Sequence, residues 1–213
     1  MDADDRLTAD LARGLDASFE AVVVAHQDRI YTIALRMLGD PRDAEEAAQD
    51  AFVRAYRALA TYEPARIREL RLRGWLSTIV LNRCRSTASR RAVRGAPPRT
   101  LDGPDGPTVD PGTPAASGPA AIVERRHERE AWASRLAALP AAYRSAVVLR
   151  HIDGLSYPEA AAALGRPEGT VKAQVHRGIA LLRTMLEAEA EAHVQPRPEV
   201  QPEAQAEPQE LSA

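Results

Sequence analysis

The chain has 213 residues, enough for one or two modest domains, and a formal net charge of −2. It contains no run of about eighteen apolar residues and begins with the acidic stretch MDADDRLTAD, so we expect no membrane insertion, no signal peptide and a cytoplasmic location. A single cysteine, Cys84, excludes an internal disulfide and a multi-cysteine zinc site; we expect it to be a buried or half-buried side chain.

The charge is distributed unevenly along the sequence. Residues 187–213 contain seven glutamates and one arginine, a net charge of −6, so residues 1–186 carry +4. Between residues 64 and 94, nine arginines accompany one acid, Glu69. So high a density of one sign repels itself unless a polyanion or solvent absorbs it, which favours nucleic acid as a partner.

The first two predicted helices follow an N-terminal extension at residues 1–17. One helix covers about residues 18–38 with a broad apolar face, and a second, for which Asp40 is a suitable N-cap, extends to about Leu59. The alanine-rich face of the second helix implies close packing against a neighbour. Taken alone, a charged row is more often a solvated face than a binding site. The other side of this helix carries such a row, formed by Asp43, Glu46, Gln49, Asp50 and Arg54.

A polar segment at residues 60–74 is predicted to contain a loop, after which Trp75 opens a third helix whose later half is crowded with cations. Tyr62 and Trp75 bracket the loop, and an aromatic side chain beside a cationic loop can stack on an unpaired base. Trp75 by itself is more often a core residue, but the arginine-rich surface as a whole favours nucleic acid. The candidate nucleic-acid contacts here are Tyr62, Arg73, Trp75, Asn82, Arg83, Arg90 and Arg91.

Turn-forming residues with almost no large apolar side chains occupy residues 95–121, which predicts a flexible tether. The chain is therefore expected to be all-α, with two small helical domains at residues 18–94 and 122–186. Residues 187–213 are expected to form an acidic tail rich in Pro, Glu and Gln, with helix persisting at its start and disorder beyond Val194.

The second domain ends in a predicted helix-turn-helix. Ser156 and Glu159 have capping-box spacing, and Gly165 sits where a helix C-terminus favours positive φ. A further helix opens at Glu168, and its apolar positions must face a core: Val171, Val175, Ile179, Leu182 and Leu186. Short or cationic side chains lie mostly on the opposite side, suited to a major groove. These candidates are Thr170, Lys172, Ala173, Gln174, His176 and Arg177.

Three stretches resemble an extracytoplasmic-function sigma factor, the compact branch of the sigma-70 family of bacterial transcription initiation factors. They are DAEEAAQDAFVRAYRAL at residues 43–59, RGWLSTIVLNRCRSTASRR at residues 73–91, and the series that runs from LP to HRG and includes GLSY and PEGTVK at residues 139–178. The resemblance covers about residues 18–94 and 122–186. The three motifs in this order, with a tether between them, are highly specific.

The resemblance implies a protein that binds core RNA polymerase, recognises −10 and −35 promoter elements, helps to melt the promoter and directs transcription of a specialised regulon. The charged row would dock on the β′ clamp helices, and the third helix with its preceding loop would hold the −10 element and capture a flipped base. The helix-turn-helix would read the −35 element and touch the β flap. The family also makes an anti-sigma factor an expected partner.

We weighed two other classes of function. A two-domain regulator that binds DNA without polymerase would use the same helix-turn-helix, but no sensor domain is evident and the basic third helix would lack a role. An enzyme is the weaker candidate, because the histidines are scattered and no nucleophile elbow, phosphate loop or metal spacing occurs. We therefore expect a DNA-binding sigma factor with no enzymatic activity, cofactor, metal or small-molecule substrate.

Overall fold

The computed structural model describes residues 3–93, 128 and 131–194, and all regular structure within them is helical, as the sequence predicts. We label residues 131–138 as α6. The other helices are α1 (Ala3–Arg13), α2 (Leu15–Leu38), α3 (Pro41–Leu59), α4 (Pro64–Arg68), α5 (Leu72–Val93), α7 (Ala141–Val147) with a π-helical continuation (Val148–Ile152), α8 (Tyr157–Leu164) and α9 (Glu168–Val194). The predicted tether and the tail beyond residue 194 lie outside the described residues.

The first domain is built on the packing of α2, α3 and α5. The chain turns between α2 and α3 at Gly39, whose φ is 72°, and the Asp40 side chain then accepts hydrogen bonds from the backbone amides of Arg42 and Asp43. The alanine face of α3 is buried, with Ala44 and Ala55 fully inaccessible, so α3 approaches its neighbours closely. Both helix ends lie where the sequence places them, because each depends on residues at most three positions away.

The N-terminal residues belong to this domain, although the sequence suggests an extension that ends at residue 17. Helix α1 packs against α2 and α4, and Leu11 retains only 2% of its surface. His26 on α2 is also buried, and its Nε2 lies 3.3 Å from an Asp4 carboxylate oxygen. Burial lowers the pKa of His26, so the contact involves mainly a neutral imidazole.

The segment before Trp75 is only partly a loop. It contains the short helix α4, and α5 begins at Leu72 rather than at Trp75. Ile67 and Leu72 are buried, with 4% and 1% of their surface exposed, while the arginines between them face solvent. The two isolated apolar residues therefore anchor a segment whose overall composition is polar.

The helix-turn-helix of α8 and α9 forms as predicted. The Ser156 amide donates to the Glu159 carboxylate at 2.9 Å while the Ser156 hydroxyl accepts from the Glu159 amide, and Gly165 has a φ of 62°. Val171 and Val175 are buried, but Leu186 is 36% exposed, so the expectation that it faces a core is wrong. Helix α9 continues to Val194, and Arg135 of α6 donates to its Glu189. No helix of the described ranges is long and apolar enough to cross a membrane.

A buried carboxylate joins the two domains. Asp153 lies just before α8, and its side chain is fully inaccessible to solvent. Arg29 of α2 binds both carboxylate oxygens, with an Nη2–Oδ2 distance of 2.8 Å, and the Ser77 hydroxyl of α5 donates to Oδ2 at 3.0 Å. Arg73 donates to the Asp153 backbone carbonyl. We call these four residues, Arg29, Arg73, Ser77 and Asp153, the Asp153 cluster.

Apolar packing surrounds this cluster. Helix α8 packs on α5, the π-helical turn packs on α2, and most of the buried residues of the two domains form one continuous core. A second, smaller cluster in the second domain contains Leu136, Leu139, Val147 and Leu182. Arg144 of α7 adds a hydrogen bond to the Met37 carbonyl at the end of α2, at 2.8 Å. The sequence predicts two tethered domains; the structure shows that they also pack on each other.

We expect Asp153→Asn to loosen the packing of the two domains. The change keeps the shape of the side chain but leaves Arg29 buried without its counter-charge, and such a loss costs about 3 kcal/mol. The measurement is the distance between spin labels at Val24 and Leu181, exposed positions on α2 and α9, by pulsed electron resonance.

The wild-type protein should give one narrow distance distribution and Asp153→Asn a broader, longer one. Asp10→Asn is the matched control, because Asp10 also pairs with an arginine, Arg13, but within one exposed helix. A distribution for Asp153→Asn that equals the wild-type distribution would show that the cluster does not hold the domains together.

Candidate nucleic-acid interface

The exposed face of α9 carries five of the six residues predicted for it. Val171 and Val175 point into the core, and Thr170, Lys172, Ala173, His176 and Arg177 are exposed. Gln174 differs: it is half-buried, and its Oε1 is enclosed without a hydrogen-bond partner. The open face is thus short and cationic, as a helix that enters a major groove requires.

Lys172 forms an exposed ion pair with Glu168 on this face. Its ammonium lies 2.7 Å from Glu168 one turn earlier and 5.5 Å from the Tyr157 ring. The hydrogen bond from Lys172 to Glu168 raises the pKa of the lysine. Because exposed pairs of this kind contribute little free energy, Lys172 can exchange Glu168 for a phosphate.

A second candidate surface is a cavity between α3 and α5, with a volume of about 320 Å³. The Tyr62 and Trp75 rings meet there with centroids 6.1 Å apart, and the Arg66 guanidinium lies 3.8 Å above the Tyr62 ring. The structure therefore gathers aromatic, amide and cationic side chains into one hollow. Its lining residues are Arg54, Ala58, Tyr62, Trp75, Ile79, Asn82, Arg83 and Ser86.

The arginines of α5 fall into two groups. Arg83 lies 2.9 Å from Asp50 and 3.0 Å from Glu46, and Arg91 lies 3.1 Å from Asp43, so both contact the carboxylates of α3. Arg85 and Arg90 are exposed, and the hydrogen bonds of their side chains run to Asn82 and Thr87, neutral partners on the same helix. Residues predicted for nucleic acid and for polymerase are thus paired with one another.

The predicted docking row lies along α3 as expected. Glu46 is largely exposed and Asp50 about one-third exposed, and Gln49 donates to Glu45 at 3.2 Å. A hydrogen bond from Arg54 holds the pKa of Asp50 below its usual range, and the charge of Arg83 lowers it further. Asp50 is therefore ionised at neutral pH, and its counter-charges come from Arg54 on α3 and Arg83 on α5.

Sequence reasoning missed several residues that the structure brings forward. Arg29, Ser77 and Asp153 had no assigned role, since the contacts between Arg29 and Asp153 join positions 124 residues apart. Arg73, predicted to contact DNA, donates to the Asp153 carbonyl. Arg85 belongs to the same arginine-rich stretch as Arg83 and Arg90, but the sequence analysis does not name it as a candidate nucleic-acid contact.

The second domain also presents an apolar groove, with a cavity volume of about 480 Å³. Trp132 of α6 and Ile152 are partly exposed there, although both are large apolar residues. Arg36 and Arg183 add cationic groups to the lining, and His151 adds an imidazole. An apolar floor with basic neighbours suits an amphipathic segment that carries acidic residues.

Comparison with known proteins matches both domains. The family model described as Sigma-70 region 2 matches residues 22–94, and Sigma-70, region 4 matches residues 129–182. RNA polymerase sigma factor CnrH of Cupriavidus metallidurans is 35% identical over 195 residues, which cover 89% of this chain and 97% of that one. This chain belongs to the sigma-70 family.

Other relatives agree. ECF RNA polymerase sigma factor SigE of Mycolicibacterium smegmatis is 34% identical over 169 residues, which cover 79% of this chain and 62% of that one. A solved structure of CnrH in complex with the cytosolic domain of CnrY superposes with a TM-score of 0.64 at 30% identity and covers 88% of this chain and 99% of that one. The molecule is therefore an RNA polymerase sigma factor of the extracytoplasmic-function type, as the sequence motifs indicate.

We expect the thiol of Cys84, the one cysteine of this sigma factor, to be unreactive in the native protein. Cys84 is buried between α5 and its neighbours with 1% of its surface exposed, and burial raises its pKa to about 12. At pH 8 only about one thiol in ten thousand would be ionised, so reaction with a disulfide reagent should be very slow in the native protein and rapid in urea. Fast stoichiometric modification under native conditions would contradict the burial.

Proposed function

We propose that this sigma factor docks on core RNA polymerase through the α3 row and reads a promoter at two places, with the face of α9 and with the cavity beside α5. The observation that carries the proposal is that one chain presents three surfaces together: the cationic face of α9, the aromatic cavity between α3 and α5, and the acidic row on α3. Such a protein acts by binding and positioning; we propose that it works in the cytoplasm as an initiation factor and catalyses no reaction.

At the −35 element, α9 would lie in the major groove. Arg177 and Lys172 suit phosphate or guanine contacts, and Ala173 offers an apolar surface for a thymine methyl group. Thr170 and His176 complete the face. We give Gln174 a smaller part than the sequence suggested, because its side chain is half-buried against the domain.

At the −10 element, the cavity beside α5 would receive a base that has left the duplex. Tyr62 and Trp75 supply a stacking surface, and Asn82 supplies an amide that can bind the edge of a base. Arg90 lies farther along α5 and suits the phosphates of the adjoining strand. The segment before Trp75 brings Arg66 over Tyr62, which adds positive charge beside the cavity.

The packed arrangement of the domains is incompatible with simultaneous contact to both elements. Helix α8 contacts both α5 and α9, and neighbouring helix axes lie about 10 Å apart, so the face of α9 is within roughly 20 Å of α5. The two promoter elements are about 25 base pairs apart, which is about 85 Å of duplex at about 3.4 Å per base pair. We therefore propose that the Asp153 cluster opens when the promoter is bound, with the tether spanning the gap.

The apolar groove of the second domain is the proposed site for a helical partner. Trp132, Ile152 and Leu186 would be covered by the polymerase flap in the transcribing complex. An anti-sigma factor that covered the same groove would exclude the flap. Support comes from the exposed apolar side chains, and the solved CnrH structure contains the cytosolic domain of a second protein, CnrY.

In vitro transcription from a genomic fragment library, with core RNA polymerase in the presence and absence of the purified protein, tests the proposal. Discrete new start sites that share upstream elements are the expected result. No initiation, together with tight sequence-specific binding of the protein alone to duplex DNA, would instead identify a regulator that works without polymerase.

Reversing one charge of the docking row should weaken binding to polymerase. Asp50→Arg places a cation among Arg54 and Arg83 and removes a carboxylate, and we expect the affinity for core polymerase to fall by at least tenfold while the circular dichroism spectrum is unchanged. Asp10→Arg, at an exposed position of α1, is the control. Equal affinities of Asp50→Arg and wild type would remove this face from the interface.

Removing a cation from α9 should weaken the −35 contact. For Arg177→Ala we expect lower transcription from promoters that depend on the −35 element, and a slope of log affinity against log salt that is reduced by about one. Arg13→Ala removes an exposed arginine elsewhere and should change neither quantity. Wild-type transcription and salt dependence in Arg177→Ala would show that α9 is oriented differently on DNA.

A further inference from the structure

Arg83 lies between the two surfaces of the first domain. Its side chain is only 13% exposed, its Nε is 2.9 Å from Asp50 and its Nη2 is 3.0 Å from Glu46. The same side chain forms part of the wall of the Tyr62–Trp75 cavity. The contact with Asp50 is an ion pair that lacks good hydrogen-bond alignment at Nε, whereas the contact with Glu46 is a hydrogen bond.

These contacts leave Arg83 poorly placed to bind DNA. A phosphate would have to displace two carboxylates from a guanidinium that is already largely enclosed. Arg85 lies two residues away on α5 and is exposed. Its side chain donates a hydrogen bond to the neutral side chain of Asn82. Of the two arginines, Arg85 can therefore bind a phosphate without breaking an ion pair.

The contacts of Arg83 do, however, favour the binding of a partner by the carboxylates of Glu46 and Asp50. Free aspartate and glutamate side chains lose rotamer entropy when a partner fixes them, and this loss weakens binding. A planar guanidinium that holds both carboxylates limits their rotamers before the partner arrives. Asp50 is held from its other side by Arg54, at 2.7 Å.

We propose that Arg83 is a positioning residue for polymerase docking, which fixes the carboxylates of Glu46 and Asp50 in the docking row and does not itself contact promoter DNA. The inference rests on the proposed function, since it assigns a role within the same docking face. It also reassigns Arg83 from the DNA-binding set, and it gives the phosphate contacts of this part of α5 to Arg85.

Two affinities measured on two matched variants test the proposal. One is the affinity of the full chain for core RNA polymerase. The other is the affinity of holoenzyme, assembled with saturating protein, for a single-stranded oligonucleotide that carries the −10 sequence found in the transcription experiment. Because the polymerase is saturated with protein, a change in polymerase affinity does not alter the measured affinity for the oligonucleotide.

For Arg83→Ala we expect polymerase affinity to fall on the order of tenfold and oligonucleotide affinity to stay within about twofold of wild type. For Arg85→Ala, on the same helix, we expect the reverse. Arg83→Lys should recover part of the polymerase affinity, because an ammonium keeps the positive charge but lacks the planar set of donors that binds both carboxylates. Lower oligonucleotide affinity with unchanged polymerase affinity in Arg83→Ala would overturn the proposal.

A merely structural role for Arg83 predicts a different pattern in combined variants. If Arg83 acts through the carboxylates, Arg83→Ala should cause little further loss when Glu46→Gln and Asp50→Asn are already present. If it only supports the packing of α3 on α5, the losses should add, and the proposal would be wrong. A wild-type chain that does not bind core polymerase would remove the docking function itself, whatever the variants do.

Discussion

The buried Asp153 carboxylate is the constraint on which the arrangement of this sigma factor depends. A carboxylate with no solvent exposure must be paired, and here the pairing groups, Arg29 and Ser77, belong to the other domain. Apolar packing between α8 and α5 would tolerate some sliding, whereas a charged cluster specifies one orientation. The second domain therefore sits on the first in a defined way, close to α5, which lines the Tyr62–Trp75 cavity.

That arrangement places the face of α9 and the cavity beside α5, the two surfaces that we propose for promoter recognition, on one packed body. Under the proposed function, this packing would prevent both promoter elements from being bound at once, since the packed helices span far less than the length of duplex between them. Binding to a promoter and to polymerase would then supply the free energy that exposes Asp153 and Arg29. The tether predicted from the sequence would keep the effective concentration of each separated domain high.

Within the first domain, electrostatics couples helices that the sequence presents as separate. The carboxylates of α3 contact Arg83 and Arg91 of α5, so the acidic row and part of the basic helix neutralise each other. The arginines that remain without carboxylate partners in the described contacts of α5, such as Arg85 and Arg90, are exposed. Charge density in the sequence does not distinguish these arginines, whereas ion pairing separates those bound to carboxylates from those that are exposed.

The sequence by itself determined the features that depend on neighbours within about four residues: the Ser156–Glu159 capping box, the Asp40 cap, the turn at Gly165 and the apolar stripe at Val171 and Val175. Only the tertiary structure decided the membership of α1, the burial of Ile67, the exposure of Leu186, the partners of Arg83 and the packing of the two domains. The contacts behind these features join distant residues, up to 124 positions apart for Arg29 and Asp153. Local periodicity carries no information about which distant side chain meets a buried charge, and only the folded chain brings them together.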